Sequence, residues 1–219
     1  MRKWLTILAG LFLFFTAHAQ NTVHTPLNKK IKDSLKREIE NMVADDQKYR
    51  WMIQFGELDE RKIAEMKKQE PKEQYRRMKD VLNNKTGISR QQKDSLWQLQ
   101  SAIDSVNFLK MSGIIRTYGY PGKYVSAGKV STIFLHTPID IINENFLNTL
   151  MTEVKMGNMP GMEYALIYDR VQQEHKQPEL YYVMEYYDAA GKTPGIRHPA
   201  DVEKTNKARE EMGLKKIGE

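Results

Sequence analysis

DSVNFLKMSGIIRTYGYPGKYVSAGKVSTIFLH, residues 104–136, is the stretch whose reading decides the fold. It closes one helix, breaks at Tyr118-Gly119-Tyr120-Pro121-Gly122, opens another helix and finishes on His136. Pro121 fixes its own φ and pushes Tyr120 away from the helical region. Gly119 and Gly122 can take conformations closed to other residues. The next helix begins around Ser126 or Gly128 and carries Val130, Ile133 and Phe134 as its apolar face, with His136 just beyond. A glycine at a helix start lets backbone amides approach an anion, but a glycine-proline break is first of all a turn. Neither GxGxxG nor GxxxxGK[ST] occurs, so no cofactor is expected.

Upstream, Ser89 and Gln92 form a capping box for a helix. Its residues Leu96, Leu99, Ile103 and Val106 are expected to face inward, with Asp104 and Asn107 on a flank of that stripe. An earlier helix starts at Asp33 and buries Leu35, Ile39, Met42 and Val43. The same period carries that face on to Asp46 and Arg50. Residues 57–84 between these helices are densely charged and read as a solvated helical arm broken near Pro71. Downstream, Thr137 caps and Pro138 opens a helix with Ile142, Phe146, Leu147, Leu150 and Val154 inward. After a loop at 157–161, Met162, Ala165 and Leu166 form a stripe that runs into Asp169 and Arg170. Leu180 to Tyr187 is aromatic and β-branched, so it reads as a strand, with a turn at 188–192 and a return over 193–198. A short helix from Asp201 stops at Gly213-Leu214. The expectation is a mainly α single domain over 33–215 with a small C-terminal β-hairpin at 180–198.

The N-terminus places the chain. Arg2 and Lys3, an apolar run from Trp4 to Thr16 and the small residues of Ala17-His18-Ala19 make a signal peptide over 1–19, cleaved after Ala19. The run is shorter than the ~20 residues a spanning helix needs, so no stable membrane insertion is expected after cleavage. Residues 20–32 read as a flexible tether, and the destination is the periplasm or the exterior. With no cysteine, neither a disulfide nor a lipidated cysteine is available. The net charge of +6 is spread among nearly as many acids, a solvated surface and not a nucleic-acid footprint.

The segments DDQKYR (45–50), YGYPG (118–122), His136 and YDR (168–170), in that order, resemble a bacterial family known as a domain of unknown function, number 6624. The ending HPADVEKTNKAREEMGL is similar to that family's closing proline, arginine and Gly-Leu. The resemblance covers roughly residues 33–215, least well along the charged arm. It departs at Pro178 to Met184, where the family's glutamines, glycine and threonine are missing. What it implies is a shared fold and a shared polar set, with no reaction attached.

Polar residues therefore extend apolar stripes on four helices: Asp46 with Arg50, Asp104 with Asn107, His136, and Asp169 with Arg170. They are expected to converge near Tyr118 and Gly119. One reading is a closed network that fixes helix register. Another is a ligand site in which the arginines and tyrosines hold a small anionic ligand or a protein tail. A third makes His136 a general base oriented by Asp46 or Asp169, acting on an anionic substrate in a hydrolase-like reaction. No HExxH or clustered histidines point to a metal, and nearby arginines would repel one.

Overall fold

The computed structural model describes residues 24–83, 87–184, 186–187, 194–195 and 199–218. Within these the protein is mainly helical. Its long elements are α1 (Lys29–Phe55) and α4 (Arg90–Tyr118). They run antiparallel: Asn107 Nδ2 donates to the Met42 carbonyl at 3.0 Å, while eight residues further along α1 Arg50 reaches back to Asp104. The capping box at Ser89 and Gln92 forms as the sequence indicates and fixes the start of α4. Asn28 caps α1 through the amide of Ile31, so the helix starts inside the segment read as a tether. Ahead of it, the Thr25 amide donates to the Thr117 carbonyl at 2.8 Å, which holds residue 25 against the body.

The main core lies where α1 and α4 meet α5 (Ala127–His136), α6 (Glu144–Lys155) and α7 (Gly161–Glu174). Phe108, Phe134 and Phe146 pack mutually with ring centroids 4.8–6.3 Å apart, and Ile39, Met42, Met111, Ile115 and Leu150 close around them. The charged arm becomes α2 (Glu60–Met66) and α3 (Pro71–Leu82). It is wet on its outer side, yet Ile63 joins Met52, Ile53, Phe55 and Leu96 in a second, smaller core. Arg77 also ties α3 to the end of α1 through the Phe55 carbonyl.

Several expectations need correcting. The helix expected from Thr137 starts later: Thr137 ends α5, a 3-10 turn follows at Ile139–Ile141, and α6 begins after Asn143, whose side chain accepts from the Phe146 amide. On α7, Met162 is exposed, and Tyr164, Ala165 and Ile167 take the inward positions. On α4, Leu99 and Val106 point outward at 50% and 49% exposure, while Gln100, Asp104 and Asn107 are buried. The polar stripe wins the interior because α1 offers it complementary partners in Asp46 and Arg50. The expected β-hairpin is not supported. Residues 180–184 form no strand, and among the described residues only Tyr186 with Gly195 and Tyr187 with Pro194 pair, too short a ladder to count as a sheet element. Residues 185, 188–193 and 196–198 of that expectation lie outside the described residues, as do the expected leader over 1–19 and residues 20–23 of the expected tether.

The last element, α8 (Val202–Glu211), packs against the start of α7. A Cβ on Gly161 would come within 2.1 Å of the Met212 carbonyl oxygen, so only glycine permits that approach. Nearby, the Tyr120 hydroxyl donates to Glu163, which is buried. Burial pushes the Glu163 carboxyl up, and the Tyr120 and Ser131 hydroxyls pull the other way. An acid whose pKa is raised by folding contributes stability that is complete below its unfolded pKa and lost as pH climbs through the folded value. Glu163→Gln keeps the shape and removes that loss. Its urea midpoint should exceed the wild type's most at about pH 8, with the gap closing toward about pH 4, where carboxyls ordinarily titrate. A gap that widens on acidification would refute this account.

Candidate functional site

Asp46 and Arg50 lie one turn apart on the inner face of α1, opposite Gln100 and Asp104 on α4. The Arg50 guanidinium donates to Asp104 Oδ2 at 2.5 Å, and its Nε stands 3.8 Å from Asp46 Oδ2. Gln100 is fully enclosed. Its Nε2 donates to Asp104 Oδ1 at 2.8 Å, and its Oε1 accepts from the Tyr49 amide at 3.0 Å. Burial pushes the Asp104 carboxyl up, while Gln100 and the Arg50 charge oppose the shift and the Asp46 charge adds to it. Gln47 Nε2 donates to Asp46 at 2.6 Å. One enclosed guanidinium is thus shared by two carboxylates, each held by a second donor.

Two further helices bring the open side of this cluster. His136, in the last turn of α5, sets Nδ1 at 2.8 and 3.0 Å from the two Asp46 oxygens. Its side chain is 32% exposed, and Nε2 has no protein partner among the described residues. Arg170 on α7 donates from Nη1 to the Phe134 carbonyl at 3.0 Å, two residues before His136. Burial pushes the Arg170 guanidinium down, and the Arg50 charge adds to this, while Glu174 and Asp104 act in the other direction. Among the described residues no carboxylate lies within ion-pair distance of Arg170. Trp97, 46% exposed, lies with its ring centroid 5.6 Å from the Arg50 guanidinium carbon, a cation–π contact.

Of the residues expected to converge, Asp46, Arg50, Asp104 and His136 are in direct contact, and Arg170 is close enough to feel their charge. The rest are elsewhere. Asn107 is spent on the Met42 carbonyl, a bond between helix backbones and side chains that locks α1 to α4. Asp169 points away from Arg170, because neighbouring positions on a helix face different ways. It is wholly buried and accepts from the amides of Leu180, Tyr181 and Val183 at 3.0–3.1 Å. Tyr118 and Gly119 end α4, about 21 Å along the helix from Asp104 at 1.5 Å per residue, so the Tyr118–Gly122 loop is no part of the cluster.

That loop has a polar group of its own. Gly119, at φ +79°, leaves its Cα beside the His24 ring, and a Cβ there would stand 3.0 Å from it. His24 Nε2 lies 2.7 Å from Glu153 Oε1, and Glu153 Oε2 accepts from the Tyr120 amide and from Asn158 Nδ2. These contacts clamp the N-terminal segment, the loop and the end of α6 together. Among the described residues no group of three or more His, Asp or Glu is placed to hold a metal ion.

Sequence reasoning passes over Gln47, Trp97 and Gln100. A signal exists for the last two, since Trp97, Gln100 and Asp104 recur at steps of three and four along one side of α4. The chain matches no family model, no curated protein and no solved structure.

Proposed function

We propose that the protein is an exported binding module that takes an anionic group of a small ligand or of a protein tail at the rim formed by Arg170, His136 and Trp97. We also propose, from the order of its motifs, kinship with the family numbered 6624, and delivery to the periplasm or the exterior by the leader over 1–19. The observation that carries the binding reading is that, among the described residues, no carboxylate lies within ion-pair distance of Arg170. Arg50 is neutralised from within by Asp46 and Asp104, but among the described residues Arg170 donates only to a carbonyl, which leaves donors for a ligand. Charge-assisted, bidentate bonds to a carboxylate or phosphate suit a guanidinium so placed. The imidazole Nε2 adds a second contact and the Trp97 ring a flat wall. No described helix is long and apolar enough to cross a membrane.

The test is a thermal-shift titration with inorganic phosphate, acetate and short acidic peptides. A saturating ligand at a hundred times its Kd stabilises by about 2.7 kcal/mol. Arg170→Gln and His136→Asn should abolish the shift while Lys129→Gln, on the outer side of α5, keeps it. Equal shifts in all three variants would sink the reading.

A second reading rests on the Asp46–His136 pair. A carboxylate on Nδ1 sets the tautomer and leaves Nε2 outward as a proton acceptor, the arrangement a general base needs. The Thr137 hydroxyl is spent on the Ile133 carbonyl, so water would be the nucleophile of this hydrolase-like alternative. Turnover of anionic esters that vanishes in His136→Ala would favour it over simple binding.

A further inference from the structure

Two polar side chains without partners stand one turn apart near the end of α4. The first is Ser112, 6% exposed, whose hydroxyl has no hydrogen-bond partner among the described residues. A helical serine or threonine can donate to the carbonyl four residues back, and Ser105, Thr132, Thr149 and Thr152 do so. Ser112 makes no such bond to Phe108, and a buried hydroxyl left unpaired is costly. The second is Arg116, which is exposed and makes no hydrogen bond or ion pair among the described residues.

Both line one cleft of about 430 Å³ between α4 and the start of α6. Small-molecule sites span about 300–1,000 Å³ and join an apolar lining to a few polar groups. Here Phe108, Ile141 and Phe146 form the apolar floor, with the two phenyl rings edge to face at 4.8 Å. Asn143, the cap of α6, closes the opposite wall. Its Oδ1 accepts from the Phe146 amide, so Nδ2 is a donor with no partner among the described residues. No aspartate or glutamate is among the described residues that line the cleft, and Glu144, next to the cap, stays out of it.

We infer that this cleft is a second ligand site, separate from the rim at Arg170, and that it takes a small monocarboxylate carrying a compact apolar body. The carboxylate lies against Arg116, with Ser112 and Asn143 supplying neutral donors, and the body rests on the Phe108–Phe146 floor. One guanidinium with no second cation beside it matches a single negative charge, which favours a carboxylate over a dianionic phosphate. The floor then selects an acid that brings apolar surface over a bare anion. Residue 116 is about 18 Å along α4 from Asp104, so the cleft is not an extension of the Asp46–Arg50 cluster.

The test is a titration of the full chain with phenylpropionate, followed by the backbone amide shifts of isotope-labelled protein. Shifts should concentrate at residues 108–116 and 141–149 and saturate in the millimolar range or below. Phenylpropionamide, which lacks the charge, and acetate, which lacks the body, should each bind about tenfold more weakly or worse. Arg116→Gln and Ser112→Ala should each weaken phenylpropionate by about tenfold or more, the effect of losing a hydrogen bond to a charged acceptor. Ser112→Ala also removes an unpaired hydroxyl, so without ligand it should melt no lower than the wild type. That readout separates a lost contact from a damaged fold. Arg170→Gln should leave phenylpropionate binding unchanged, so this site and the rim can fail independently. Shifts centred on His136 and Arg170, equal binding of the amide, an Arg116→Gln variant that binds like the wild type, a Ser112→Ala variant that melts lower, or no saturable shift would each overturn the proposal.

Discussion

Arg50→Ala is expected to lower the free energy of unfolding by about 3–5 kcal/mol, the range for removing one partner of a buried ion pair. The side chain is 10% exposed, and its loss leaves the 1%-exposed Asp46 and 5%-exposed Asp104 without the guanidinium they share. Desolvation already works against a charged Asp104, so the variant turns a balanced group into an unbalanced one. Urea unfolding followed by circular dichroism measures the loss. A second variant separates charge imbalance from lost packing. Asp46→Asn, Asp104→Asn and Arg50→Met together remove all three charges and should recover much of the deficit, because a neutral replacement of a buried ionic set is often tolerated. A single Arg50→Ala loss below about 1 kcal/mol, the value of an exposed pair, would show that the cluster is wetter than its geometry indicates.

Asp169→Ala should cost a comparable amount through a different cause. One carboxylate, wholly enclosed, accepts three backbone amides of the segment Leu180–Val183. Burial pushes this carboxyl up, and the amides of Tyr181, Val183 and Leu180 pull it back down. Hydrogen bonds to a charged acceptor contribute about 1.5–3 kcal/mol each, and the amides left behind would be buried and unpaired. The bonds share one acceptor and do not add, so a total of about 3–5 kcal/mol is expected. The same segment is gripped from the other side by Arg209, which donates to the Tyr181 carbonyl at 2.6 Å. Hydrogen exchange should therefore show the amides of 180–183 losing protection in Asp169→Ala while those of α4 keep theirs. Equal loss everywhere would mean that the coil is not a distinct local unit.

Much of the helical plan is legible because amphipathic period and caps are local properties. Asn28, Ser89 and Asn143 each cap a helix with their own side chain, and of these the Ser89–Gln92 pair is readable as a motif. Asp46 and Arg50 are readable as members of a buried polar cluster because they continue a buried stripe. What misleads is competition between two stripes on α4. Leu99, Ile103 and Val106 form the more apolar one, yet Gln100, Asp104 and Asn107 go inside, since a polar face on α1 is matched by a polar face on its neighbour. Composition alone has no way to weigh that pairing. Asp169 misleads for the opposite reason. It continues a stripe on α7, and it is the coil at 180–184, eleven and more residues later, that claims it. The aromatic run Leu180–Tyr187 has strand propensity but no partner strand along 180–184, and its amides are satisfied by a carboxylate instead.

The clamp at His24 bears on where the folded unit begins. A fragment started at Lys29, the first residue of α1, would carry every helix of the described residues and still discard the imidazole that covers Glu153. That carboxylate, 1% exposed, would face a hollow beside Gly119 that any basic group of a neighbouring molecule could enter. Trimming to the tidy edge of the first helix would therefore manufacture an artificial receptor for amines on the surface, and screens run on such a fragment would report it as a hit.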